Sequence, residues 1–204
     1  MEKNKVLKVW EISALISLSL CLCAAVWAQG RQQSLCSGLV RLHVLAASDA
    51  EEEQAIKLRV RDAVLDYLSP RLADARNVGE AEKILRRELG GICAAAGSAA
   101  EGRSVAVSFG TEHYPTRAYE GFTLPAGKYN SLRVVLGEGE GQNWWCIVFP
   151  PVCLSAVQSE PMREAMSPDD YALITQSDGW ELRFRTVELW GKLTEKLNAS
   201  DSQP

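Results

Sequence analysis

A chain of 204 residues with 22 basic and 26 acidic side chains, a net charge of −4 and 47% hydrophobic residues has enough apolar material for one globular domain. It has no excess of positive charge with which to hold nucleic acid or an anionic membrane surface. Six cysteines and two histidines offer no pair at zinc spacing and are too sparse for a disulfide-built scaffold, so neither a metal nor a cofactor is expected, and the partner to look for is a protein rather than a small-molecule substrate.

The first eight residues carry Lys3, Lys5 and Lys8, and residues 12–27 are apolar apart from Ser13, Ser17 and Ser19. That is the layout of an export leader. The apolar run is short for a span, which takes roughly 20 residues, and it ends at Val26, Trp27 and Ala28, with small residues three and one places before a peptidase cut. The sequence predicts a signal peptide over residues 1–28; the alternative is an uncleaved anchor, because Trp27 suits a membrane interface. Lipidation is not expected, since Cys23 and Cys36 follow Leu22 and Leu35 rather than a small residue. Losing the leader's three lysines and two glutamates moves the net charge to −5 and leaves Cys36, Cys93, Cys146 and Cys153.

Residues 29–38 read as a polar spacer. In residues 39–46, Leu42 and Val44 alternate with Arg41 and His43, the period of a strand with one wet face. Ser48 and Asp49 stand at capping-box spacing before Glu51 and Glu52, and Ile56, Val60, Val64 and Tyr67 recur at helical intervals until Ser69 and Pro70 stop the run. Asn77, with Glu80 three residues on, starts a second helix whose inner face is Ala81, Ile84, Leu85 and Leu89 and which frays through Gly90 and Gly91 towards Gly97. Both helices are expected on one sheet face.

Val105, Val107 and Phe109 alternate again, and after a long loop Leu132, Val134 and Leu136 do the same. Residues 144–149 are apolar throughout, which predicts a central strand, and the glycine-rich residues 137–141 predict a long-looped hairpin between these last two strands. Pro150 and Pro151 end the pattern. Residues 177–179 read as a turn, Val187, Trp190, Leu193 and Leu197 line a C-terminal helix, and residues 198–204 form a disordered tail. The predicted fold is therefore a single α+β domain over residues 39–197: a small, mostly antiparallel four-stranded sheet, two helices covering one face, and a C-terminal helix.

No catalytic constellation is evident. His43 reads as a solvated strand histidine, and two carboxylates, Glu138 and Glu140, supply too few of the 6 to 8 oxygens that calcium takes. The enzymatic alternative is Cys146 as nucleophile with His43 or His113 as base, in an exported thiol-dependent peptidase or cell-wall hydrolase. Reactive cysteines need a cationic or helix-terminal setting, whereas Cys146 sits in an aliphatic and aromatic strand. A disulfide from Cys146 to Cys153, with the double proline reversing the chain between them, fits that setting better. Residues 113–153 crowd Pro, Gly, aromatic and charged residues into loops, the material of binding surfaces. From loop position and residue type, Arg117, Tyr119, Glu138, Asn143 and Trp144 are the expected partner contacts.

Residues 39–70, LVRLHVLAASDAEEEQAIKLRVRDAVLDYLSP, and residues 115–153, PTRAYEGFTLPAGKYNSLRVVLGEGEGQNWWCIVFPPVC, strongly resemble the stage II sporulation protein R family of spore-forming bacteria. Asn143, Trp144, Trp145 and Cys146 with the double proline are the most specific part. The resemblance implies a non-enzymatic signal, made in the forespore and exported into the space between the two membranes that separate it from the mother cell. It implies as partner a membrane-embedded aspartic protease of the mother cell, which the signal activates to process pro-sigma-E. The family supplies no binding residues to transfer.

Overall fold

The computed structural model describes residues 2–119, 122–150 and 168–175. In chain order the elements are α1 (Glu2–Ser37), β1 (Val40–Leu45), α2 (Glu51–Leu72), α3 (Val78–Arg87), α4 (Leu89–Ala99), β2 (Val105–Tyr114), β3 (Arg117–Tyr119), β4 (Phe122–Leu124), β5 (Gly127–Leu136), β6 (Asn143–Phe149) and α5 (Pro168–Thr175). The α+β class is as expected.

The alternating residues of β1, β2 and β5 do form strands, and the sheet order is β2-β5-β1-β6. It is mixed: β1 runs parallel to β5, while β1 with β6 and β2 with β5 are antiparallel. Two expectations fail here. The apolar β6 is not central but ends the four-strand order, and β5 and β6 are not a hairpin, because β1 lies between them. The glycine-rich segment instead carries the chain across the end of β1, two strand spacings or about 10 Å, with Gly141 N–H donating to Ala46 O at 2.9 Å. Gly137 and Gly139 take positive φ of 56° and 69° on the way. An apolar run alone does not separate a central strand from an end strand whose two faces are both covered.

One face carries the main core. Val40, Leu42, Val44, Leu132, Val134 and Leu136 point to it and are buried under Ile56, Val60 and Val64 of α2, Leu85 of α3 and Ile92 of α4. Three helices cover this face rather than two. The expected second helix breaks at Glu88, whose N–H closes α3 on Ile84 O at 2.9 Å. Its carboxylate accepts from the Tyr67 hydroxyl at 2.8 Å and from Arg71 Nε at 3.3 Å. The ends of α2 also differ from expectation. Its N-cap is Ala50 without a side-chain cap, although three acidic residues follow in the first turn, and Pro70 lies inside the helix, which runs on to Leu72. Burial of Leu68 and Leu72 keeps that last turn helical against the local signal of the proline.

The second face is not wet, which corrects the reading of Arg41 and His43. Leu35, Cys36, Leu39, Tyr114, Leu124, Tyr129, Ile147 and Ile174 make a second buried cluster there, drawn from α1, the sheet, the β3–β4 hairpin and α5. The polar residues 29–38 are mostly helical: α1 continues to Ser37, and Gln32 Nε2 donates to Ala126 O. Gly127 makes room for Cys36 of this helix, since a Cβ there would stand 2.6 Å from Cys36 Sγ. Residues 8–37 are long and apolar enough to cross a membrane by length and composition. The expected turn at 177–179, C-terminal helix and tail lie outside the described residues.

Candidate partner-binding site

Side chains alternate across β1, so Arg41 and His43 face away from α2–α4 and meet the matching residues of their neighbours in register. His43 stands beside Arg133 on β5 and Trp145 on β6, and Arg41 stands beside Ser131 and Ile147. Tyr129, Ser131 and Arg133 of β5 and Glu112 and Tyr114 of β2 complete the face.

A polar chain runs across these strands. The Ser131 hydroxyl donates to Glu112, Tyr114 Oη lies 2.7 Å from Ser131 Oγ, and Glu112 stands 3.3 Å from His43 Nδ1. His43 Nε2 then lies 2.8 Å from Asn143 Oδ1, so both ring nitrogens are engaged. Burial on its own would push the Glu112 carboxyl up, but the hydrogen bonds from His43 and Ser131 and the charges of His43 and Arg133 outweigh it and hold the group below its ordinary range. Burial pushes the Tyr114, Tyr119 and Tyr129 phenols well up, so these rings stay neutral at physiological pH.

Over this network sits the β3–β4 hairpin, a separate two-stranded sheet. Arg117 is exposed and places its guanidinium carbon 3.9 Å from the Trp145 ring centroid. Tyr119 stacks on Phe122 at 5.0 Å, and its hydroxyl accepts from Arg41 Nη2 and donates to Trp145 O at 3.4 Å. Three of the five expected contacts, Arg117, Tyr119 and Asn143, are thus gathered around Trp145, His43 and Arg41.

The other two are elsewhere. Trp144 points to the opposite sheet face, 36% exposed, with Arg61 of α2 at 4.5 Å from its ring. Trp144 and Trp145 therefore flank one strand end on opposite faces, each covered by an arginine, and neither is fully buried. Glu138 is exposed in the crossing loop. Sequence reasoning missed Arg41, His43, Glu112, Tyr114 and Ser131 as a group. The matching polar alternation in residues 39–46 and 129–133 was the available signal, but only the parallel pairing of β1 with β5 turns it into one site.

The catalytic alternative does not assemble. His43 pairs in register with Trp145, whereas Cys146 pairs with Leu42 and packs on the helix side, so His43 and Cys146 are on opposite faces. His113 is on β2, three strand spacings or about 14 Å from β6. Cys146 is disulfide-bonded, while Cys21, Cys23, Cys36 and Cys93 are free; Cys153 lies outside the described residues. Among the described residues no group of three or more His, Cys, Asp or Glu could hold a metal ion.

Comparison with known proteins adds a family. The family model described as Stage II sporulation protein R (spore_II_R) matches residues 37–159. The chain is 35% identical over 136 residues to Stage II sporulation protein R of Bacillus subtilis (strain 168), a match that spans 62% of this chain and 61% of that protein. No solved structure matches.

Proposed function

Because the chain belongs to the stage II sporulation protein R family and so has a role in sporulation, we propose that it is an exported intercellular signal. It is released from the forespore into the intermembrane space and switches on a membrane-embedded aspartic protease of the mother cell, leading to processing of pro-sigma-E. The apolar α1 fits an export signal.

The observation that carries a signalling role over the hydrolase is the disulfide at Cys146. A half-cystine is not a thiolate nucleophile, and that sulfur is turned away from His43. What the second face offers instead is surface: Arg117 on Trp145, with Asn143 and Tyr119 beside them, has the tryptophan, tyrosine and arginine content of an interface hot spot. We propose the receptor's contact there and Cys153 as the partner of Cys146. Co-expression with the receptor protease and pro-sigma-E in a host lacking both tests the reading. Processing that requires this chain supports it, and processing that is the same with and without it refutes it.

A further inference from the structure

The centre of the second face is occupied by a charge with no salt-bridge partner among the described residues. Arg41 is 0% exposed, and its Nε and Nη1 have no hydrogen-bond acceptor among the described residues. Nη2 donates to the Tyr119 hydroxyl. Tyr114, Tyr129 and Tyr119 surround the guanidinium, with ring centroids 4.2, 5.1 and 5.7 Å from its central carbon. Their π faces stabilise a cation, but they do not satisfy in-plane N–H groups. Glu112, the carboxylate on this face among the described residues, is committed to His43 and Ser131.

Arginine does not shed its proton to escape such a site, and buried ionic groups are commonly replaced by apolar residues of similar volume without loss of stability. We infer that Arg41 is the anchor of a carboxylate-binding site on the partner-facing side of the sheet, roofed by the β3–β4 hairpin. A carboxylate is planar and matches a guanidinium edge. A phosphate brings more charge, and the neighbouring Glu112, held ionised, opposes that. The roof is separable: among the described residues β3 and β4 pair with each other and not with the main sheet, and Arg117 and Tyr119 fasten it to Trp145 and Arg41. A partner that engages Arg117 loosens the same roof and brings its own carboxylate beneath it. The partner's identity rests on the proposed signalling role; the carboxylate site does not.

The test uses the full chain in neutral detergent micelles, following the Arg41 Nε–H correlation by nuclear magnetic resonance, identified by its loss in Arg41→Met. The probes are acetate, inorganic phosphate and chloride at equal ionic strength. N-acetylglycine serves as a chain terminus and N-acetyl-aspartate methylamide as an acidic side chain. We expect acetate and at least one of the two larger carboxylates to shift the signal saturably, with half-saturation at about 1–10 mM. Whichever larger probe binds identifies the source of the carboxylate. Phosphate and chloride should leave the signal in place.

Absence of a saturable carboxylate shift overturns the site, and an equal response to phosphate overturns the ligand class. Arg41→Met should melt at or above the wild-type temperature, lose the acetate response and process pro-sigma-E at least tenfold less in the co-expression assay. A markedly lower melting temperature would make Arg41 a structural brace. Normal processing by a folded Arg41→Met would remove the site from partner binding. If the wild-type chain itself gives no processing, the signalling role fails, and the acetate titration still decides the site.

Discussion

Arg117 covers the Trp145 ring from a hairpin that the sheet itself does not hold, so its side chain contributes more to the surface than to the core. Arg117→Glu is expected to fold normally, with circular dichroism and melting temperature unchanged, and to reduce processing in the co-expression assay by about thirtyfold, the equivalent of 2 kcal/mol at a hot spot. A drop in melting temperature instead would make Arg117 a brace for the hairpin. Cys146→Ala should remain active, because the sulfur is not on the face proposed to meet the partner. It should nevertheless lose about 2–5 kcal/mol of stability with the disulfide, read from denaturant unfolding. An inactive but fully stable Cys146→Ala would restore the hydrolase. Glu112 carries a pH signature. Its folded carboxyl titrates below the ordinary 4.5, so it stabilises the native state above that pH, and the contribution fades as pH falls through the lower folded value. Glu112→Gln should therefore be less stable at neutral pH and show a shallower loss of melting temperature than wild type on acidification below about pH 4.5.

At the scale of elements, local signals held where one helix face had one job. Ile56, Val60 and Val64 were legible as the buried stripe of α2 because burial and period agree. Its ends were not legible, since packing of Leu72 decided one and no side chain capped the other. Strand order was beyond local reading: a glycine-rich segment after a strand serves a hairpin or a crossing equally well, and only the position of β1 distinguishes them. Gly141 records the choice. A Cβ there would come within 2.2 Å of the Ser48 carbonyl oxygen, a backbone atom that cannot swing aside. Gly141→Ala should cost about 1–3 kcal/mol, lowering the urea midpoint with the slope unchanged; an unaltered midpoint would show that the loop does not press on the segment that follows β1.

For the molecule as a whole, the sequence indicated an α+β domain behind an apolar N-terminal segment and named Arg117, Tyr119 and Asn143, which the fold gathers on one face, by residue type. The polar centre of the site escaped it because Arg41 and His43, on an alternating strand, look the same whether the far side meets water or a second layer. That second layer is built by residues far apart in sequence, Leu35, Leu124, Tyr129 and Ile174, and no local period announces it. The family resemblance, by contrast, lay in contiguous runs and was readable from the sequence alone.

The unbroken passage of α1 from its apolar stretch into the second core ties that stretch to the sheet without a joint. Gln32 lies five positions after Trp27, a rise of about 7.5 Å, so were the apolar stretch to sit in a bilayer, an uncut chain would hold the domain close to it in one attitude. Were the chain cut after Ala28, the turns that place Cys36 against Gly127 would leave with the domain, which would then tumble freely. The same surface would be offered in two dimensions or in three, and the cut would decide which.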